Sequence, residues 1–197
     1  MSHRDAEFTV LRETIATRGT ARMILLPVTI IAWGSLALVV FLFGDAPFAV
    51  LLPLWVLAGG FEAIHALHVG VERVGRYLQV NYENADAGPA WETTVTAVGP
   101  GLPGGGVDPL FSLVFAGAAF LNMIPALGNT LLRTSAGLPQ TTRTELAVIG
   151  VLHLAFVVRV VRARGAAARQ RAVELETFRA IQRQLSNQKV HTSNPNA

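Results

Sequence analysis

Two stretches of the chain carry no charged residue over lengths that suit a bilayer, Met23–Gly44 and Pro109–Leu132. A helix needs about 20 mostly apolar residues to cross, so both qualify unaided. Two further apolar runs are shorter. Ala46–Phe61 is followed at once by Glu62, His65 and His68, and Leu146–Val158 contains His153 and leads into Arg159 and Arg162. Neither crosses a hydrocarbon core of about 30 Å by its apolar part alone. Only Asp45 separates the first of them from a span ending at Gly44, which calls for a tight hairpin. The pattern therefore predicts an all-α, polytopic membrane protein. Its four transmembrane helices lie at residues 23–44, 47–71, 109–132 and 145–163 and form a four-helix bundle, with Glu62 and Arg159 drawn into the inner half of the bilayer.

Outside the spans the periodicity continues. Phe8, Leu11 and Ile15 share one helical face within residues 5–18, which reads equally as a helix on the membrane surface or as a polar lead-in. Residues 62–83 hold no proline, so span 2 is expected to extend into the cytoplasm over 72–83, with Glu72 and Arg76 as a solvated i,i+4 pair. Span 4 is expected to extend over 164–185. Ala172, Leu175, Phe178, Ile181 and Leu185 form a narrow seam there, suited to the other extension or to a copy of itself. Residues 84–108 are rich in Gly and Pro. No Lys-Ser/Thr follows those glycines and no strand precedes them, so they read as a linker rather than a phosphate cradle, with Trp91–Val98 as a short interfacial helix. Residues 1–185 are read as a single membrane domain and 186–197 as a disordered tail.

Composition narrows the class. The 197 residues are 51% hydrophobic and 15% charged, with mean hydropathy +0.43, against about 25% charged residues in soluble domains. The chain has no cysteine, which excludes a disulfide scaffold and Cys-ligated metal or iron–sulfur centres. Placing both termini in the cytoplasm puts 14 of the 16 basic residues inside. The first span is then a retained signal anchor. Fifteen of those residues are Arg and only Lys189 is Lys, which, with many Ala and Gly, suggests a GC-rich bacterial genome and hence an inner membrane. The expected partners are the lipid bilayer and either a second copy or another membrane protein, not a nucleic acid.

The chemistry-bearing residues concentrate on span 2. At about 100° per residue, Glu62, His65, His68 and Glu72 fall within a sector of about 120°. Counted from Pro47, Glu62 lies about 22 Å below the outer boundary; counted from Glu145, Arg159 lies about 21 Å below it. A lone carboxylate at that level is costly, so Glu62 either pairs with Arg159 or is protonated. His153 and Asn122 reach a common, shallower level and are expected to hydrogen-bond. Together these seven residues form a candidate polar stripe or ion path.

Glu62, His65, His68 and Glu72 also form a candidate metal set, because Glu-x-x-His spacing supplies two ligands to carboxylate-bridged sites, and imidazole with carboxylate suits a divalent metal. Haem b is disfavoured, since His153 and the span 2 histidines differ in depth by about 14 Å or more. No zinc-protease His-Glu-x-x-His, Gly-x-Ser-x-Gly or cysteine nucleophile is present, and Lys189 lies outside the spans. The leading expectation is a non-enzymatic transport or ion-coupling protein or membrane-complex subunit. The alternatives are a metal-binding protein, with or without a redox role, and a scaffold that binds partners through long cytoplasmic helices.

Overall fold

Uninterrupted runs of Ala, Leu, Val and Arg favour helix, and the computed structural model describes residues 2–44, 46–83, 90–98, 109–133 and 140–193 as almost wholly helical. Helix accounts for 96% of them and no strand occurs among the described residues. The elements are α1 (His3–Phe43), a 3₁₀ turn (Pro47–Val50), α2 (Leu51–Asn81), α3 (Trp91–Val98), α4 (Pro109–Arg133) and α5 (Gln140–Ser193). Helices α1, α2, α4 and α5 are each long and apolar enough to cross a membrane.

The chain divides into two compact units. The apolar unit comprises residues 21–66 and 108–164. In it α2 contributes Leu54, Leu57, Phe61 and Ile64, at the three-and-four spacing of one helix face, to a core completed by Phe115, Ala118 and Ala119 of α4 and by Phe156, Val160 and Ala163 of α5. Phe61 is the hub: its ring meets Phe111, Phe115 and Phe156 at centroid distances of 5.7, 5.4 and 6.0 Å. A second cluster joins Val40, Val50, Ala126 and Ile149.

Helix α1 packs on this core through Leu25, Leu26, Ile30 and Trp33. It also crosses α2 closely at one point. A Cβ on Gly60 would overlap the side chain of Thr29, so only glycine permits the approach. The outward face stays apolar: Met23, Ile31, Phe43, Trp55, Leu113, Phe120, Leu154 and Val161 are all more than 57% exposed. Just 11% of the most apolar stretch of α1 is buried. Water would penalise so large an apolar belt, whereas acyl chains would not.

The charged unit comprises residues 1–20, 67–107 and 165–197. Here α1 is tied down by polar groups. Arg4 donates to the Asn81 carbonyl at 2.6 Å, the Tyr77 hydroxyl donates to Glu7 at 2.9 Å, and Phe8 lies against Tyr82 with ring centroids 5.5 Å apart. The Arg18 guanidinium occupies the space a Cβ on Gly70 would fill. Residues 5–18 are thus not a separate surface helix; they are a polar lead-in to the first span, formed by the first turns of α1. The Glu83 carboxylate caps α3, accepting from the backbone N–H of Glu92 at 2.5 Å and of Thr93 at 2.8 Å.

Helix α5 also runs further than the tail reading, to Ser193, past a Ser186 whose hydroxyl bonds back to Gln182 at 2.9 Å. No Gly or Pro interrupts residues 166–193. The face of α5 that packs is rotated from the apolar seam read in the sequence: Arg171, Glu174, Phe178 and Gln182 turn inward, while Ile181 and Leu185 are 46% and 54% exposed.

Candidate functional site

The seven candidate residues fall into three clusters, built on segments of α2, α4 and α5. The first lies in the apolar unit. Periodicity brings Val50, Asn122, Ile149 and His153 inward; Asn122 and His153 are 2% and 4% exposed. The Val50 carbonyl can only accept, so the Asn122 amide nitrogen faces it and donates at 2.7 Å. The same nitrogen lies 3.0 Å from His153 Nε2, and His153 Nδ1 lies 2.8 Å from the Ile149 carbonyl. Nδ1 therefore carries the proton and Nε2 accepts from Asn122. This arrangement commits both ring nitrogens and fixes a neutral imidazole, leaving no lone pair for a metal or a transferred proton.

The second cluster surrounds Phe61. Arg159 donates to Glu62 Oε2 at 2.8 Å, and its guanidinium carbon lies 5.8 Å from the Phe61 ring centre. His65, one turn on from Phe61, stacks on that ring at 5.7 Å with an interplanar angle of 4°. Glu62, Phe61, His65 and Arg159 thus form one charged and aromatic group, with the ion pair about half exposed.

The third cluster lies in the charged unit and is larger than the sequence suggested. Glu72 and Arg76 were expected as a solvated surface pair. Instead Arg76 is 6% exposed and bridges two carboxylates, Glu72 at 2.9 Å and Glu174 of α5 at 2.6 Å. Arg171 reaches the other Glu72 oxygen at 3.0 Å, Arg73 reaches Glu174 at 3.0 Å, and Gln170 donates to Glu174 at 2.7 Å. His68 Nε2 lies 3.4 Å from Glu72. Burial pushes the Glu72 carboxyl up, but the Arg76 hydrogen bond and the charges of His68, Arg171 and Arg76 outweigh it and hold the group below its ordinary value. Burial acts in the same upward sense on Glu174, and hydrogen bonds from Gln170, Arg76 and Arg73 override it. Both carboxylates stay ionised at neutral pH.

The four candidate metal ligands are divided between the two units. Glu62 and His65 belong to the apolar unit, His68 and Glu72 to the charged unit. No group of three or more His, Asp or Glu side chains among the described residues could hold a metal ion. The carboxylates that would bind one are engaged by arginines.

Glu174, Arg171 and Arg73 were not among the candidates. A signal for the first two exists in the sequence: Arg171, Glu174 and Phe178 keep the spacing of a packing seam, so charges there face a neighbouring helix. No family model, curated protein or solved structure matches the chain.

Proposed function

We propose that this chain is an integral protein of a bacterial inner membrane, with both termini in the cytoplasm, and that it is a non-enzymatic subunit of a membrane assembly. The observation that carries this reading is the commitment of its polar groups. The Asn122–His153 cluster and the Arg76 network are spent on holding helices together, and neither offers an open coordination position or an unpaired base. Such networks specify register rather than perform chemistry.

The helix directions agree with four spans. In the charged unit the partners Glu72–Arg171, Arg76–Glu174 and Val80–Gln182 rise together along both helices, so α2 and α5 run parallel there. Spans 2 and 4 of a four-span chain must run parallel. With the basic residues inside, residues 3–20, 67–81 and 169–188 provide a helical surface for cytoplasmic partners.

Topology is tested by labelling. The chain has no cysteine, so Ala46→Cys and Gln140→Cys should react with an impermeant thiol reagent from outside, and Ser2→Cys and Ser186→Cys should not. Labelling of Ser2→Cys from outside in intact cells would reverse the topology.

The partly exposed Glu62–Arg159–His65 group favours a second reading, ion coupling. Purified protein in liposomes should then show a proton or cation flux that falls in Glu62→Gln. Tight liposomes without flux leave the assembly reading in place.

A further inference from the structure

The Glu62–Arg159 pair sits on the outside of the apolar unit. The two side chains are 50% and 45% exposed. Their surroundings are apolar and also exposed: Trp55, Gly59, Ala63 and Ala66 along α2, and Leu152, Ala155 and Val158 along α5. If the apolar unit lies in a bilayer, as the proposed function has it, this pair faces acyl chains about 21–22 Å below the outer boundary, a costly position for ions that remain open on one side. Snorkelling relieves an arginine but not a glutamate, whose stem is too short. Arg159 is in any case turned toward Glu62 and the Phe61 ring.

The geometry points to a second copy of this chain as the occupant of that face. Glu62 on α2 and Arg159 on α5 lie at one depth and are displaced sideways, so the patch is a dipole parallel to the membrane plane. A two-fold axis along the membrane normal preserves depth and reverses sideways order. It therefore sets Glu62 of each copy against Arg159 of the other, which makes the patch its own electrostatic complement. Gly59 has open space where a Cβ would stand, and opposite a small Ala155 it lets α2 of one copy approach α5 of the other closely. A lipid phosphate would complement Arg159 but repel Glu62, so it fits the patch less well.

The test uses the full chain in native membranes. Gly59→Cys in one copy and Ala155→Cys in a second, differently tagged copy of the otherwise Cys-free protein should form an oxidative cross-linked dimer, whereas Ile31→Cys on the exposed face of α1, paired with Ala155→Cys, should not. Glu62→Arg and Arg159→Glu, each added singly, set like charges both within the chain and across the contact. The cross-link should then fall by about tenfold or more. Co-expressed with different tags, these two variants remain mismatched within each chain but are matched across the contact, and the mixed cross-link should return. Recovery only when both substitutions occupy one chain would confine the pair to a single copy and overturn the proposal, even where the single variants fold poorly. Absence of the dimer between Gly59→Cys and Ala155→Cys copies from protein that resists carbonate extraction would overturn the dimer alone. Release of the protein by carbonate would remove the membrane reading and the dimer with it.

Discussion

Arg76 and Glu174 are 98 residues apart in sequence and meet at 2.6 Å with their side chains 7% and 14% exposed. The contact fixes the register of α5 on α2 in the charged unit. Arg76 also holds Glu72, so its guanidinium is shared by two carboxylates that would otherwise repel each other inside a helix pair.

Removing the shared cation should therefore cost more than removing either acid. Arg76→Ala leaves two part-buried carboxylates one guanidinium short and is expected to destabilise the charged unit by about 1–3 kcal/mol. Arg76→Lys should recover only part of this, because an ammonium cannot serve both acids in the planar, two-sided manner of a guanidinium. Limited proteolysis and thermal melting of detergent-solubilised protein would measure both, and a double-mutant cycle with Glu174→Gln should show coupling. Additive effects of Arg76→Ala and Glu174→Gln would contradict the geometry.

The same network sets an acid limit. Glu72 and Glu174 have folded-state pKa values below the ordinary 4.5. A depressed carboxylate pKa stabilises the fold above the unfolded value, and that stability is lost as pH falls through the folded value. The charged unit should be insensitive to pH from neutrality down to 4.5 on account of these two groups, then loosen on further acidification. Glu174→Gln should flatten that acid transition, as followed by circular dichroism or hydrogen exchange.

The Asn122–His153 cluster gives a different signature. Asn122→Leu removes both donated hydrogen bonds and leaves His153 Nε2 unpaired in an apolar core, at a cost of about 1–3 kcal/mol. Asn122→Asp should be at least as harmful, because a carboxylate cannot donate to the Val50 carbonyl. Thermal stability in one detergent would rank the two; an Asn122→Asp variant as stable as the parent would argue against the donor assignment.

The α1–α2 crossing depends on a missing methyl group. Gly60→Ala drives a Cβ into Thr29 and should destabilise the apolar unit by about 1–3 kcal/mol. Adding Thr29→Ala removes Cγ2 and Oγ1, two of the atoms in the way, and should restore part of the loss. Gly59→Ala, next along the helix, meets open space and should be nearly neutral for the fold of a single copy.

How much of this was written in the sequence depended on the reach of each determinant. The apolar lengths of α1, α2, α4 and α5 are local quantities, and four span-length apolar helices are what the structure has. A constant rise per residue put Glu62 level with Arg159 and Asn122 level with His153, and each pair is in contact. The same arithmetic said nothing about how α5 is rotated about its axis, so Ile181 and Leu185 were read into a seam from which they are turned away.

By itself, then, the sequence determined helix content, apolar spans and the sign of the charges that flank them, because these follow from propensity, burial length and counting. Only the tertiary structure decided which charges are spent. Arg76 looked solvated because its i,i+4 neighbour Glu72 was the one partner visible along the chain; Glu174 and Arg171, 98 and 99 residues from Arg76 and Glu72, came within reach when α5 settled in parallel register on α2. Long-range electrostatics depends on the rotation and register of packed helices, and those are fixed by the interlocking of whole faces rather than by any local spacing.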